Sequence, residues 1–119
     1  MIKIKRVYEE PAISDGTRYL VERLWPRGFK KESLEMKAWI KAVAPSDELR
    51  QWFGHDPLKW DEFLRRYWGE LETNPTAWQP LAAAAKLGEV TLLYSAHYTE
   101  HNNAFALKLS LESHLETAE

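Results

Sequence analysis

Apolar and basic residues alternate through Ile2-Lys3-Ile4-Lys5-Arg6-Val7-Tyr8, the period-two pattern of a strand. Glu9-Glu10-Pro11 ends it, and Ser14-Asp15-Gly16 predicts a turn. A second strand is expected over Thr17–Leu24, with Tyr19, Val21 and Arg23 on one face. Pro26 cannot donate to a ladder and Gly28 permits a positive φ, so pairing should stop within Trp25-Pro26-Arg27-Gly28. From Lys30 to Val43 the apolar positions Leu34, Met36, Trp39, Ile40 and Val43 predict a loop followed by a short helix. Pro45 stops it.

Helical periodicity then takes over. Ser46 caps a short helix with Asp47 and Glu48 in its first turn, Leu49, Trp52 and Phe53 on its apolar side and Gly54 at its end. Asp56 and Pro57 suit the start of the next. Trp60, Phe63, Leu64, Tyr67, Trp68 and Leu71 form one continuous face along it. Asn74-Pro75 breaks the chain, and Thr76–Leu87 predicts another helix with Trp78, Leu81, Ala82 and Ala85 on one side. Gly88 stops it. Val90–Tyr94 is a short apolar run of strand type, delivered into the polar segment Ser95–Asn103. A last helix is expected from about Glu100 to Leu115 on Ala104, Leu107, Leu111 and Leu115, with the final residues frayed.

This order predicts an α/β fold. One domain over residues 1–119 is expected, with two or three layers, a short and mainly parallel three-stranded sheet, and about five helices. Parallel second and third strands would end on the same edge. Trp25-Pro26-Arg27 and Tyr94-Ser95-Ala96-His97 would then be neighbours, at the edge where open α/β sheets place ligands.

Composition narrows the chemistry. The chain has no cysteine, which excludes disulfides, thiolate catalysis and cysteine-bound metal. Six Trp in 119 residues indicate an aromatic-rich core or a surface that holds planar ligands. No apolar run approaches membrane-spanning length and the start has no signal-peptide pattern, so a cytoplasmic protein without membrane partners is expected. The net charge of −2 disfavours a general nucleic-acid binder, but it is uneven. Residues 1–41 hold ten Lys or Arg against six Asp or Glu, and residues 42–119 hold six against twelve. The basic excess around Arg23, Arg27, Lys30 and Lys31 is either solvated surface or an anion-facing edge.

Several segments together resemble a known family. They are Leu20–Gly28 (LVERLWPRG), Ala44-Pro45-Ser46, Leu49–Pro57 (LRQWFGHDP), Val90–Tyr94 (VTLLY) and Glu100–Ala104 (EHNNA). They are similar to the YeaO-like group of the family catalogued as domain of unknown function 488, across nearly the whole chain. The resemblance implies a soluble single-domain α/β protein of bacteria or archaea and no particular reaction. Larger relatives carry an Asp-Val-Arg segment after an early strand, a cysteine after a late strand and a Cys-His-Arg triplet at the following helix. By that resemblance Glu22-Arg23 matches the first and His101 the triplet's histidine, while Tyr94 and Asn102 stand where the cysteine and arginine would be. Cysteine-dependent chemistry cannot operate with these residues.

Three chemical readings follow. In the first, a small phosphate- or nucleotide-like anion binds at the strand ends. Arg23 and Arg27 offer bidentate forks, Trp25 a stacking surface, and Gly28, Tyr94 and Ser95 the remaining contacts. His101 is then the candidate acid or base, and Asn102 and Asn103 the donors to a developing oxyanion, for a hydrolysis or transfer. The plain alternatives are that Asn102 or Asn103 caps a helix and that Arg23 pairs internally. In the second, His97-Tyr98-Thr99-Glu100-His101 matches the string H-x-x-E-H. Zinc would need both imidazoles on one helical face, whereas His97 directly follows a strand, so no metal ligand is assigned. In the third, the protein is a non-catalytic binding module for nucleic acid or a protein partner. His55 either reaches the same edge or serves as a turn residue before Asp56. No cofactor and no oligomeric state is specified.

Overall fold

The computed structural model describes residues 1–117. The expected fraying of the last residues falls outside them in part, at positions 118 and 119. Four strands form one sheet: β1 (Ile2–Arg6), β2 (Thr17–Leu20), β3 (Ala38–Trp39) and β4 (Val90–Tyr94). Their spatial order is β1-β4-β2-β3 and every pairing is parallel. The α-helices among the described residues are α1 (Asp47–Phe53), α2 (Trp60–Glu72), α3 (Pro75–Leu87) and α4 (Asn103–Thr117). Short 3-10 turns lie at Ile13–Asp15, Lys41–Val43 and Pro57–Lys59.

Two expectations are corrected. The sheet has four strands rather than three, and there are four α-helices rather than about five. Both errors have one origin, the segment Lys30–Val43. It forms no α-helix but a loop, the two-residue strand β3 and a 3-10 turn. Lys37 N–H donates to Arg18 O at 2.6 Å and Ile40 N–H to Leu20 O at 2.8 Å, docking the segment on β2. Its apolar residues serve two different faces. Ala38 and Ile40 pack with the helical side of the sheet, whereas Leu34, Met36 and Trp39 pack on the other. Alternation holds only across Ala38-Trp39-Ile40, and so short an apolar run does not distinguish a strand from a helical stripe. The boundaries also shift. β2 ends at Leu20 rather than Leu24, and the last helix begins at Asn103 rather than near Glu100.

The strand β4 is central, and all five of its residues are buried. Val90, Leu92 and Tyr94 join Ile2, Tyr19 and Val21 in a core shared with Phe53, Phe63, Tyr67, Leu81, Leu107 and Leu111 from the four helices. Leu93, on the opposite face by alternation, packs with Leu20, Val7 and Leu34 under Trp25, Phe29 and Trp39. Helices therefore cover one face and the 25–39 segment covers much of the other. Tyr67 is fully buried, and its hydroxyl donates to Val43 O at 2.5 Å. Burial pushes that phenol well above the usual tyrosine range, so it is a fixed donor.

The loop face also holds a buried ion cluster. Asp15 lies between Lys5 Nζ at 3.0 Å and Arg18 Nη1 at 2.6 Å, and accepts from Ala12 N–H at 3.0 Å. Burial works to raise this carboxyl, but Ala12, Lys5 and Arg18 together outweigh it and hold it at about 2. No helix among the described residues is long and apolar enough to cross a membrane.

Candidate functional site

Because the strands are parallel, the segments that follow β1, β2 and β4 leave the sheet at one edge. Glu22 and Arg23 follow β2, Ser95 and Ala96 follow β4, and Tyr8 follows β1. These residues surround a crevice of about 300 Å³. The start of α4 and the α1 segment close it from the helical side, through Asn102, Asn103, Arg50 and Phe53.

Specific bonds hold the walls together. The Glu22 Oε1 accepts from Ser95 N–H at 2.7 Å and from Ser95 Oγ–H at 3.1 Å, tying the ends of β2 and β4. Asn103 Nδ2 donates to Val21 O at 2.8 Å and anchors α4 to β2. Arg6 donates through Nε to Ala96 O at 2.9 Å. Tyr8 Oη–H donates to Arg27 O at 3.0 Å, drawing the 25–28 turn towards β1. Gly28 has φ 89°, the positive value expected of that turn.

Three arginines line the crevice, Arg23, Arg27 and Arg50. Arg23 donates through Nε to Pro45 O at 3.0 Å and through Nη2 to Ala44 O at 3.3 Å, so one side of its fork is fixed by the chain. Asp47 lies 3.7 Å from Arg23 Nε and 3.2 Å from Arg50 Nη2, between the two cations. Arg50 Nε is buried with no hydrogen-bond partner among the described residues. Arg27 is exposed, and its side chain has no partner among them either. Two arginines are therefore oriented and one is free, an arrangement suited to an oxyanion of phosphate or carboxylate type.

Of the residues expected at the site, Arg23, Trp25, Arg27, Ser95, Asn102 and Asn103 line this crevice. Gly28, Tyr94 and His101 do not. Tyr94 is buried within β4, and burial raises its phenol. The His101 ring lies edge-on to Trp60, with centroids 5.0 Å apart and planes at 64°. Asn102 is buried and engaged at both ends of its amide. Its Oδ1 accepts from Phe105 N–H at 2.8 Å and its Nδ2 donates to Tyr98 O at 2.7 Å, which makes it a helix cap. Trp25 donates from Nε1 to Phe29 O at 2.8 Å and meets Trp39 edge-on at 5.2 Å. Residues 97–101 precede α4, so His97 and His101 do not share a helical face. Among the described residues no group of three or more His, Cys, Asp or Glu side chains is placed to hold a metal ion.

His55 does line the crevice. It follows Gly54 with φ 58° after φ 53°, two consecutive left-handed residues. A non-glycine residue in that region is uncommon and costs about 1 kcal/mol or more. Its ring is flanked by Phe53 and Tyr98, with centroids 6.1 and 6.0 Å away. The Gly-His pair before a helix cap was the one sequence signal for this turn. Arg50 gave none, because it reads as a solvent-facing residue of α1. Tyr8 gave none, because it reads as the end of a strand. Glu22 is marked only by the family resemblance, which pairs it with Arg23 and gives it no contact at the site.

Comparisons with known proteins bear on the whole chain. Residues 1–119 match the family model described as "DUF488-N3i: Inactive DUF488-N3 subclade". The chain is similar to "Uncharacterized protein YeaO" of Escherichia coli (strain K12), at 43% identity over 106 residues, 89% of this chain and 92% of that one. An uncharacterized protein of Mycobacterium tuberculosis (strain ATCC 25618 / H37Rv) is 42% identical over 90 residues, 76% of this chain and 70% of its own. One from Mycobacterium bovis (strain ATCC BAA-935 / AF2122/97) gives the same figures, 42% over 90 residues, 76% and 70%. No solved structure matches.

Proposed function

The chain belongs to the DUF488 family, in its YeaO-like group, and we propose that it binds a small anionic ligand in the crevice at the strand ends without transforming it. The observation that carries this reading is the convergence of Arg23, Arg27 and Arg50 on one cavity that holds a single carboxylate, Glu22. Asp47 offsets the repulsion between Arg23 and Arg50 in part, and three cations against two carboxylates leave a positive excess that an oxyanion would offset. The cavity of about 300 Å³ stands at the lower end of the roughly 300–1,000 Å³ range of small-molecule pockets, which favours a small ligand over a polymer.

Binding without turnover has more support than hydrolysis or transfer assisted by His101. That imidazole packs on Trp60 rather than lining the crevice. The Asn102 amide is engaged as a cap, and Asn103 Nδ2 already donates to Val21 O. The family description carries the word "Inactive", which agrees with binding without turnover.

The test is a thermal-shift screen followed by titration calorimetry with inorganic phosphate, sulfate and nucleoside monophosphates. A ligand at a hundred times its Kd stabilises the folded state by about 2.7 kcal/mol. Arg27→Ala removes an exposed side chain with no partner in the described structure, so the unliganded melt should stay near that of the parent. Affinity for the anion should fall by ~10-fold or more, the worth of one charge-assisted bond. Absence of a shift with every anion in the screen refutes the reading.

A further inference from the structure

We infer that the ligand of this crevice carries an N–H donor on a planar heterocycle beside its anionic group, and so is a nucleotide-type molecule rather than a bare phosphate or sugar phosphate. The inference rests on the anion-binding reading above and adds what the rest of the ligand must be.

It starts from Glu22. A carboxylate inside a crevice meant for an anion repels that anion. Glu22 has a structural duty, since its Oε1 accepts both Ser95 N–H and Ser95 Oγ–H. That duty needs one neutral oxygen, and a glutamine side chain would supply it equally well. The charge and the second oxygen are left without a use. Glu22 forms no ion pair with Arg23, whose nearest carboxylate is Asp47, and the Arg27 side chain has no partner among the described residues. The Oε2 accepts no hydrogen bond from the described residues, and it is not sealed from solvent. It is an oriented carboxylate oxygen that meets no protein donor among the described residues. A ligand N–H supplies the missing donor, and the charge makes that bond stronger than a neutral one.

The walls argue for a flat ligand body. Tyr8, Trp25, Phe53, His55 and Phe63 are among the lining residues, with Phe53 and Phe63 almost wholly buried behind the others. Trp25 and His55 are each held in place, the first by its bond to Phe29 O and the second by flanking rings on a left-handed backbone. Rigid aromatic surfaces present π-faces to a heterocycle at low entropic cost and offer little to a sugar phosphate. Cations for the anionic group, aromatic faces for the ring and an acceptor for a ring or exocyclic N–H therefore meet in one cavity.

Calorimetric titrations compare inorganic phosphate, ribose 5-phosphate and the guanosine, adenosine, cytidine and uridine 5′-monophosphates on the parent protein and on Glu22→Gln. The parent should bind at least one of the nucleotides ~10-fold or more tightly than ribose 5-phosphate, from one bond to a charged acceptor. Glu22→Gln keeps an oxygen for Ser95 and should melt near the parent. It should bind ribose 5-phosphate equally or more tightly and lose most of the preference for the nucleotide. Ribose 5-phosphate binding as tightly as every nucleotide to the parent overturns the inference and leaves the anion reading standing, a result that needs no variant. An unchanged nucleotide preference in a folded Glu22→Gln also overturns it. Failure of all six compounds to bind overturns both.

Discussion

Asp15→Asn removes the charge at the centre of the buried cluster and leaves the shape of the side chain nearly unchanged. Asp15 is 4% exposed and Arg18 7%, so the variant leaves the Arg18 guanidinium buried beside a neutral amide. Breaking a buried ion pair by removing one partner typically costs about 3–5 kcal/mol. The lower end applies here, because Arg18 still donates to Glu35 O at 2.7 Å and the Lys5 side chain is 17% exposed and reaches water. A loss of about 3 kcal/mol is expected at pH 7 from urea denaturation, a large fraction of the roughly 5–15 kcal/mol of an ordinary domain. The pH dependence gives an independent check. The folded carboxyl is held at about 2, below its ordinary value of 3.8. A depressed folded pKa contributes stability that is full above the unfolded value and is lost as pH falls through the folded one. The parent's advantage over the variant should therefore be constant above about pH 5, shrink by about 1 kcal/mol at pH 3, and go on shrinking towards pH 2. An Asp15→Asn variant within about 0.5 kcal/mol of the parent at pH 7, or a gap that does not narrow by pH 3, would refute this account of the cluster.

Two further substitutions test how the site is supported. Gly16 has φ 65°, and a Cβ there would run into the backbone carbonyl of Glu89, which itself accepts from Thr17 N–H at 3.0 Å. Gly16→Ala should lower stability by more than about 2 kcal/mol in urea melts, and a neutral result would mean that β2 and the 88–90 turn can separate freely. Asn102→Ala removes the cap of α4 and strands Tyr98 O, for a loss of about 1–2 kcal/mol, with hydrogen exchange accelerated first at residues 103–106. Unchanged exchange in that first turn would show that Asn102 is not the cap.

The parts of this molecule that were legible in sequence are those where one residue has one duty. Trp60, Phe63, Tyr67 and Leu71 repeat at helical spacing because α2 offers one face to the core, and α2 is where that spacing places it. The apolar run Val90–Tyr94 identified a strand covered on both faces, and β4 is central. The parallel run of β2 and β4 then brought Arg23 and Ser95 to one edge across more than seventy intervening residues. Legibility failed where a residue serves two faces or acts through backbone geometry. Leu34, Met36, Trp39 and Ile40 divide between the two sides of the sheet, so their spacing imitates a helix. The contribution of His55 depends on a left-handed turn, and that of Arg50 on where α1 docks, neither of which leaves a periodic trace. His101 misled in the opposite sense. Its position before a helix suggested chemistry, and its ring is occupied with Trp60.

Three polar groups of the crevice share one property that bears on how tightly the proposed ligand would bind. Each is half engaged by the fold and half available. Glu22 gives Oε1 to Ser95 and keeps Oε2; Arg23 gives Nε and Nη2 to Pro45 and Ala44 and keeps Nη1; Asn103 gives its Nδ2 to Val21 and keeps its oxygen. The engaged half fixes the rotamer, so the ordering of these side chains is met by folding and not by ligand binding. Arg27 is free and exposed instead, and in the proposed complex it would lose rotamer entropy worth about 0.5–1.5 kcal/mol. The mobile group, the Arg27 guanidinium, does not release a proton at neutral pH. On the proposed reading, such a site of oriented acceptors and donors with one flexible cation would hold its ligand and let it go unchanged.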